Sequence, residues 1–343
     1  MLAGILAALL LAEIALKPFA ATLNWFNTQP VAETSSTVLT LRQFEEGIAT
    51  AHYTPSSQRL TGIPPVPGAP NILILGDSFV FAAQVNDRQT MGAQLEQLSA
   101  QLGHPLNAVQ YGWIAASPAK YVVEAPGLIE KWNPALTVVL INSDDFLPEV
   151  QYDRWTSMQL NPDGSATIHR VDANDQSRGH ALIAQFTSRS ALAKEVLTRF
   201  SKDVWPNLQS TLHPHHATPD SHPANAPTFA DFARAHVAGL RQAYGDRLLL
   251  IYAAEPGLNN ASDNTPDPAP DNAEQALLAA CQQQALRCLS TRDAFLHARD
   301  SGQFLAAGFS NSQPGTGHYN ANGHRMIAQT IWNEYQTLSA EAR

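Results

Sequence analysis

The stretch NILILGDSFVF, residues 71–81, decides the fold of this chain. Its apolar run ILIL leads into Gly76, Asp77 and Ser78, which is the pattern of a buried strand that ends in a glycine turn. In an open α/β sheet the carboxyl ends of the strands face the ligand crevice, so a serine at this turn is a candidate nucleophile. The other interpretation is that Asp77 and Ser78 only N-cap the segment that follows.

Short apolar runs alternate with helix-length segments from residue 71 onward. This alternation predicts an α/β fold: a three-layer αβα sandwich around a mostly parallel, five-stranded sheet. The predicted strands cover residues 71–75, 107–111, 136–141, 247–254 and 287–290. The predicted helices cover residues 87–103, 117–132, 229–245, 272–285 and a last stretch that begins near Asn322.

The chain divides into three segments, the last of which carries an insertion. Residues 1–20 are predicted as a hydrophobic helix, residues 21–70 as a proline-containing linker or wrap, and residues 71–340 as the main domain. The insertion, at about 147–228, follows a strand end, where insertions commonly cover the site of an open sheet. Within it, MQLNPDGSATIHRV is typical of a hairpin closed by Pro162, Asp163 and Gly164, and a helix is expected near 190–204.

The first sixteen residues, MLAGILAALLLAEIAL, carry a single charge, Glu13. As a helix they would rise about 24 Å, a little short of a hydrocarbon core of about 30 Å, and the apolar residues that follow extend the span. We expect a membrane anchor with the body outside the cytoplasm, in the periplasm or cell envelope; a cleaved signal peptide and a buried helix are the alternatives. Cys281 and Cys288 fit either a disulfide or two buried thiols.

The charge balance argues against one class of partner. A net charge of −9 and a pI near 5.7 provide no basic stripe, so we expect no nucleic acid partner. The loop LHPHHATPDSHP, residues 212–223, contains four histidines, but prolines interrupt their spacing. It is therefore interpreted as a solvated loop, and no metal or cofactor is predicted.

Four short blocks occur in one order along the predicted elements: GDSF at 76–79, QYGWIAASP at 110–118, INSDDF at 141–146 and GHYNANGH at 317–324. With them the chain resembles the SGNH (GDSL-type) hydrolase superfamily, whose fold is flavodoxin-like, and the last block is typical of envelope-facing members. The resemblance implies that Ser78 is the nucleophile, that its own amide and that of Ala115 bind the oxyanion, and that His318 is the base.

The third block departs from the family pattern, because Asp144 occupies the position of the oxyanion-binding asparagine. An ionised carboxylate there would repel the developing oxyanion by about 5 kcal/mol at an effective dielectric of 20. Two solutions are open. In the first, burial and neighbouring carboxylates keep Asp144 protonated, so that it donates a hydrogen bond to the oxyanion. In the second, Asn142 is the donor instead, although it lies two residues earlier.

The fourth block departs as well, since the family's aspartate position before His318 falls on Gly315, and a shorter spacing falls on Thr316. The Thr316 hydroxyl or a backbone carbonyl is therefore a candidate support for the base. Carboxylates elsewhere, such as those of Asp145, Glu149 and Asp153, are further candidates. The second histidine of the block, His324, is expected to be a structural residue of the last helix.

These residues predict an enzyme: a serine-dependent ester hydrolase or O-acyl (acetyl) transferase that acts on a small ester or an acylated envelope glycan. The alternative is a catalytically degenerate protein of the same fold that binds a glycan or a protein partner. Both departures favour this alternative, and Trp113, Trp155 and Tyr319 would then offer aromatic faces to sugars.

Overall fold

The computed structural model describes residues 38–43, 46–146, 156–161, 163–171, 227–254 and 272–341. All of them belong to one compact unit, Ser35–Val171 with Pro227–Arg343. The hydrophobic helix predicted at 1–20, the helix predicted near 190–204 and the histidine loop at 212–223 lie outside the described residues. Among the helices that are described, none is both long and apolar enough to span a bilayer.

Ten strands and seven α-helices make up the described chain. The strands are β1 Leu39–Gln43, β2 Ala49–Tyr53, β3 Gln58–Arg59, β4 Asn71–Gly76, β5 Asn107–Gly112, β6 Leu136–Ile141, β7 Thr156–Leu160, β8 Ala166–Arg170, β9 Leu248–Tyr252 and β10 Arg287–Ser290. The helices are α1 Ser78–Phe81, α2 Met91–Gln101, α3 Pro118–Trp132, α4 Phe229–Tyr244, α5 Asn272–Gln283, α6 Arg292–Asp300 and α7 Ala321–Glu341.

The main sheet has eight strands in the order β1-β2-β3-β5-β4-β6-β9-β10. The last five in this order are parallel, as predicted, and β1 to β3 extend the sheet in antiparallel fashion from the β5 edge. The predicted count of five is therefore wrong for the whole sheet. The reason is that the added strands are short and their alternation is faint: β2 buries only Ala49, Ala51 and Tyr53.

Helices cover both faces of the parallel sheet. Leu73 and Leu75 of β4 belong to a buried cluster with residues of α3, α4 and α5, whereas Ile72 and Ile74 belong to a second cluster with residues of α2, α6 and α7. Successive strand residues point to opposite faces, so each central strand buries both sides. This confirms the α/β fold with a mostly parallel sheet.

The strand order places a crevice at the carboxyl ends of β4 and β6. The chain passes from β4 to β5 on one side and then crosses to β6 on the other, and such a reversal opens the ligand crevice of an α/β sheet. Ser78 is the second residue after β4, and Asn142 directly follows β6. The first and third of the four sequence blocks, GDSF and INSDDF, therefore lie together at the carboxyl ends of β4 and β6.

One local prediction is also confirmed. β7 and β8 pair as an antiparallel hairpin, with Gly164 at a φ of +82° in its turn. For the cysteines, which the sequence left open between a disulfide and two buried thiols, the structure has a disulfide: Cys281 in α5 and Cys288 in β10 are joined across a Cα–Cα distance of 6.1 Å.

Candidate active site

Ser78 lies at the start of α1, a four-residue helix that turns sharply away from β4. The side chain of Asp77 caps this helix, because its Oδ1 accepts a hydrogen bond of 2.9 Å from the Phe79 N–H. The turn presses against β5: a Cβ atom on Gly112 would lie 2.0 Å from the Phe81 nitrogen, so only glycine fits there. Asp77 is therefore the cap, and the serine hydroxyl is left for another partner.

That partner is His318. The Ser78 Oγ lies 2.9 Å from Nε2 of His318, and Nδ1 of the same ring lies 2.6 Å from Oε2 of Glu46. The backbone N–H of His318 also donates to Oε1 of Glu46, at 2.6 Å. A hydroxyl, an imidazole and a carboxylate thus form one line of contacts, the arrangement in which a base is held for proton transfer from a nucleophile.

The contacts with Glu46 define which nitrogen of the His318 ring donates a hydrogen bond and which one accepts. With its proton on Nδ1, His318 donates to Glu46 and presents Nε2 as the acceptor for the Ser78 hydroxyl. Burial raises the pKa of Glu46, but the hydrogen bonds and charge of His318 outweigh it and leave this pKa below its ordinary value. The carboxylate is therefore ionised at neutral pH and able to stabilise an imidazolium.

Gly317 makes room for the Glu46 side chain, and Gly47 lets the chain beside Glu46 approach Gln84. Gly317 adopts a φ of +74°, and a Cβ on it would lie 2.1 Å from Oε1 of Glu46. Gly47 adopts a φ of +79°, and a Cβ on it would lie 2.4 Å from the carbonyl oxygen of Gln84. The Asn311 side chain accepts from the Gly47 N–H at 2.9 Å and donates to its carbonyl at 3.2 Å. The turn between β1 and β2 is thus docked on the loop before α7.

Sequence reasoning missed Glu46 because it lies 272 positions from His318, in a segment interpreted as a linker. The other candidate supports do not take its place. The Thr316 hydroxyl donates to the Gln313 carbonyl at 3.0 Å, and Asp145 accepts from the Asn142 N–H at 2.8 Å. Glu149 and Asp153 lie outside the described residues. Gly315, at the family's aspartate position, has a φ of +76°.

Ala115 has a backbone conformation that favours glycine, the residue expected at this position from the resemblance in sequence. It is the third residue of a turn closed by a hydrogen bond of 3.1 Å from the Ala116 N–H to the Trp113 carbonyl. Its φ is +55°, a region that costs an alanine energy and a glycine none. Within the described part of the chain, neither the N–H of Ala115 nor that of Ser78 donates a hydrogen bond to any acceptor.

Asp144 is exposed, so the structure lacks the burial on which the first expectation for this residue depended. Asn142 does not replace it as a free donor either. Its side chain is buried, donates to Oδ2 of Asp77 at 2.7 Å and accepts from the Asp144 N–H at 2.9 Å. Burial raises the pKa of Asp77. Asn142 therefore connects the turn after β6 to Asp77, the cap of α1.

The remaining residues of the last block are structural, as expected for His324. Asn320 accepts from the N–H groups of Asn322 and Gly323 at the start of α7. A Cβ on Gly323 would lie 2.3 Å from the Ala306 carbonyl oxygen. His324 is buried in α7, and burial lowers its pKa to about 3, so it stays neutral.

The aromatic residues considered for sugar binding do not present open faces. Trp113 is 6% exposed and Tyr319 is 1% exposed, both within the hydrophobic core. Trp155 lies outside the described residues. Over the same described ranges, no group of histidine, cysteine, aspartate or glutamate residues has the arrangement to hold a metal ion.

An α/β fold with a serine, a histidine and a carboxylate in line at its crevice is the general arrangement of serine-dependent hydrolases. No family model matches the sequence, and no curated protein matches it.

The chain is similar in structure to several solved proteins. One is a two-domain esterase active on acetylated mannans, at 11% identity and a TM-score of 0.42, over 78% of this chain and 50% of that one, so the chain spans about half its length. An acetyl xylan esterase from Geobacillus stearothermophilus has 12% identity and a TM-score of 0.41, over 78% and 94%. A lipase/acylhydrolase from Enterococcus faecalis has 10% identity and a TM-score of 0.40, over 77% and 94%. With TM-scores under 0.5, these likenesses by themselves assign no activity to the chain.

Proposed function

We propose that this protein is a serine-dependent ester hydrolase of the SGNH type. The observation that carries the proposal is the continuous line of contacts from Ser78 through His318 to Glu46, at 2.9 Å and 2.6 Å. Ser78 and His318 retain partial exposure, with the His318 side chain 24% exposed, so a substrate has access to both. A core polar network would not need such access.

The proposed reaction has two steps. The Ser78 Oγ attacks the ester carbonyl while Nε2 of His318 takes the hydroxyl proton, and the leaving alcohol departs with that proton. Water then attacks the acyl-serine by the same route and releases the carboxylic acid and free Ser78. Glu46 stabilises the imidazolium in both steps, and the amides of Ser78 and Ala115 are the proposed oxyanion donors.

The side-chain donor of the oxyanion hole is missing in this proposal. Asp144 stands at its position in the family pattern, and the nearby Asn142 amide is already bound to Asp77. One such donor contributes about 10²- to 10³-fold in kcat, so we expect a slower enzyme than one with a complete set.

The direct test is turnover of p-nitrophenyl acetate by the purified chain and by Ser78→Ala. Turnover should disappear in Ser78→Ala and persist in Ser56→Ala, which removes the hydroxyl of an exposed serine. Labelling by an organophosphate should modify Ser78 alone, as seen in the mass of its peptide. An unchanged rate in Ser78→Ala would end the proposal.

For the substrate, we propose a small acyl ester, with an acetylated glycan as the biological form. Acetylated mannan and acetylated xylan, on which the similar esterases act, are the first glycans to test. If a sugar hydroxyl replaces water in the second step, the same site performs acyl transfer. Acetate release measured with and without an acceptor glycan separates the two reactions.

The second candidate, a degenerate binding protein, keeps one argument, the exposed carboxylate of Asp144. Its other arguments are weakened, since Glu46 contacts His318 and both Trp113 and Tyr319 are buried. Absence of turnover, together with glycan binding that survives Ser78→Ala, would favour this candidate.

We also propose that the body works outside the cytoplasm. The support is the disulfide between Cys281 and Cys288, since such bonds persist in oxidising compartments. When the protein is isolated from its native host in the presence of an alkylating reagent, neither cysteine should be alkylated. Both should become alkylated once the protein has been reduced. Alkylation of both cysteines without a reductant would contradict the proposal.

A further inference from the structure

Helix α1 is too short to hold the nucleophile by itself. It consists of Ser78–Phe81, and two backbone bonds define its turn: Phe81 N–H to the Asp77 carbonyl at 2.9 Å and Ala82 N–H to the Ser78 carbonyl at 3.0 Å. Isolated helical turns are unstable, because few hydrogen bonds offset the entropy of ordering them. The position of Ser78 therefore depends on groups outside the helix.

Tyr53, at the end of β2, is one such group. Its hydroxyl donates to the Phe81 carbonyl at 2.9 Å, and its ring stacks on the Phe81 ring at a centroid distance of 4.3 Å. Tyr53 is only 3% exposed, and burial raises its pKa, so its hydroxyl keeps its proton and stays a donor.

Tyr53 is itself held in place by a buried arginine. The guanidinium of Arg59 lies 5.0 Å from the centre of the Tyr53 ring, and it also donates to the Val85 carbonyl at 2.9 Å and pairs with Asp87. Asp87 in turn accepts from the His52 N–H of β2 at 3.0 Å. The tyrosine ring is thus fixed between the strand that carries it and the segment after α1.

The neighbouring carbonyl of α1 is also bound. Nε2 of Gln110 donates to the Val80 carbonyl at 2.5 Å, and Oε1 of the same side chain accepts from the Gly92 N–H at 3.0 Å. Two buried side chains therefore bind the last two carbonyls of the helix that begins at Ser78.

We propose that Tyr53 is a positioning residue for Ser78, acting through the Phe81 carbonyl and the Phe81 ring. The inference rests on the proposed ester hydrolysis and extends it, because Tyr53 lies outside all four blocks that resemble the SGNH pattern. The hairpin of β1 and β2 then has two roles in one site: its turn presents Glu46 to His318, and its second strand holds the helix of Ser78.

The kinetic test compares Tyr53→Phe with Tyr244→Phe. Both variants remove a buried hydroxyl that donates to a backbone carbonyl, and the Tyr244 hydroxyl binds the Tyr121 carbonyl at 2.7 Å, between α4 and α3. We expect kcat for p-nitrophenyl acetate to fall about tenfold or more in Tyr53→Phe with KM within about twofold, because a small displacement of the nucleophile is costly. Tyr244→Phe should keep its kcat. Equal kcat in the two variants would overturn the proposal.

A second measurement does not depend on turnover. Hydrogen exchange of the Phe81 and Ala82 amides should accelerate about tenfold or more in Tyr53→Phe and stay unchanged in Tyr244→Phe, because those amides report local opening of α1. Unchanged exchange in Tyr53→Phe would overturn the proposal even if the wild type has no esterase activity. Faster exchange in Tyr53→Phe, together with a wild type that shows no turnover, would leave Tyr53 as a support of α1 and reject the proposed hydrolysis instead.

Discussion

The carboxylate of Glu46 binds the imidazole of His318 at 2.6 Å although 272 positions separate the two residues. The same carboxylate accepts the backbone N–H of His318, so the ring and the main chain are held together. This contact provides the charge that the last block lacks at Gly315 and Thr316. The N-terminal strands are therefore part of the candidate site.

Glu46→Gln tests whether that charge matters. Glutamine has nearly the same shape but no charge to stabilise an imidazolium, so we expect kcat to fall by about 10³- to 10⁴-fold. The measurement is the hydrolysis of p-nitrophenyl acetate under saturating substrate. Glu130→Gln, which removes a negative charge from an exposed position of α3, should leave the rate unchanged. Equal rates in the two variants would mean that His318 works without the carboxylate.

Gly317→Ala tests the fit between the last loop and Glu46. Gly317 and Gly302 have φ values of +74° and +66°, so alanine is strained at both, by about 1 kcal/mol. Only at Gly317 would the new Cβ meet Glu46, at 2.1 Å, while none of the neighbours of Gly302 lies within 4 Å. Thermal unfolding should therefore show destabilisation in both alanine variants, at least as large in Gly317→Ala as in Gly302→Ala, and only Gly317→Ala should lose turnover. Full activity in Gly317→Ala would contradict the close contact.

Ala115→Gly should stabilise the protein. Ala115 has a φ of +55°, and glycine relieves this strain at some cost in unfolded-chain entropy, for a net gain of about 0.5–1 kcal/mol. Urea unfolding measures the gain, and turnover should persist because the N–H remains. Ala285→Gly, at a φ of +47° after α5, is the matched control and should gain a similar amount. A loss of stability confined to Ala115→Gly would show that its methyl group packs favourably.

Glu96 should make stability depend on pH. It is 7% exposed, its Oε1 accepts from the Ala108 N–H at 2.9 Å, and burial raises its pKa to about 6. The folded protein holds the proton more tightly than the unfolded chain, so this stabilising contribution is present below the unfolded pKa of about 4.5 and is lost as the pH rises through about 6. The loss amounts to about 2 kcal/mol.

Glu96→Gln should remove this part of the pH dependence. Its amide oxygen still accepts from Ala108, and no proton is released between pH 4.5 and 7. Free energies of unfolding measured across this range should fall for the wild type and for Glu130→Gln, but less for Glu96→Gln. Parallel curves for all three proteins would refute the prediction.

The parallel core of the fold was predictable from the sequence because it depends on strong local patterns. The run ILIL before Gly76 and the run LTVVLI at 136–141 are long and apolar enough to predict buried strands. The positions of Ser78 and His318 follow from turns beside such elements, and the structure brings the two side chains together. The sequence predicted the hairpin of β7 and β8 in the same way, from its turn residues.

The strands β1 to β3 were not predictable, because they bury small residues such as Ala49 and Ala51 against an edge that exists only in the folded sheet. The same holds for the exposure of Asp144 and for the hydrogen bond of Asn142 to Asp77, which depend on two loops meeting at the crevice. The sequence by itself determined the α/β core, the serine at its first parallel strand and the histidine before its last helix, because near neighbours encode these features. Only the tertiary structure decided which carboxylate supports the histidine, because that contact joins chain segments 272 residues apart.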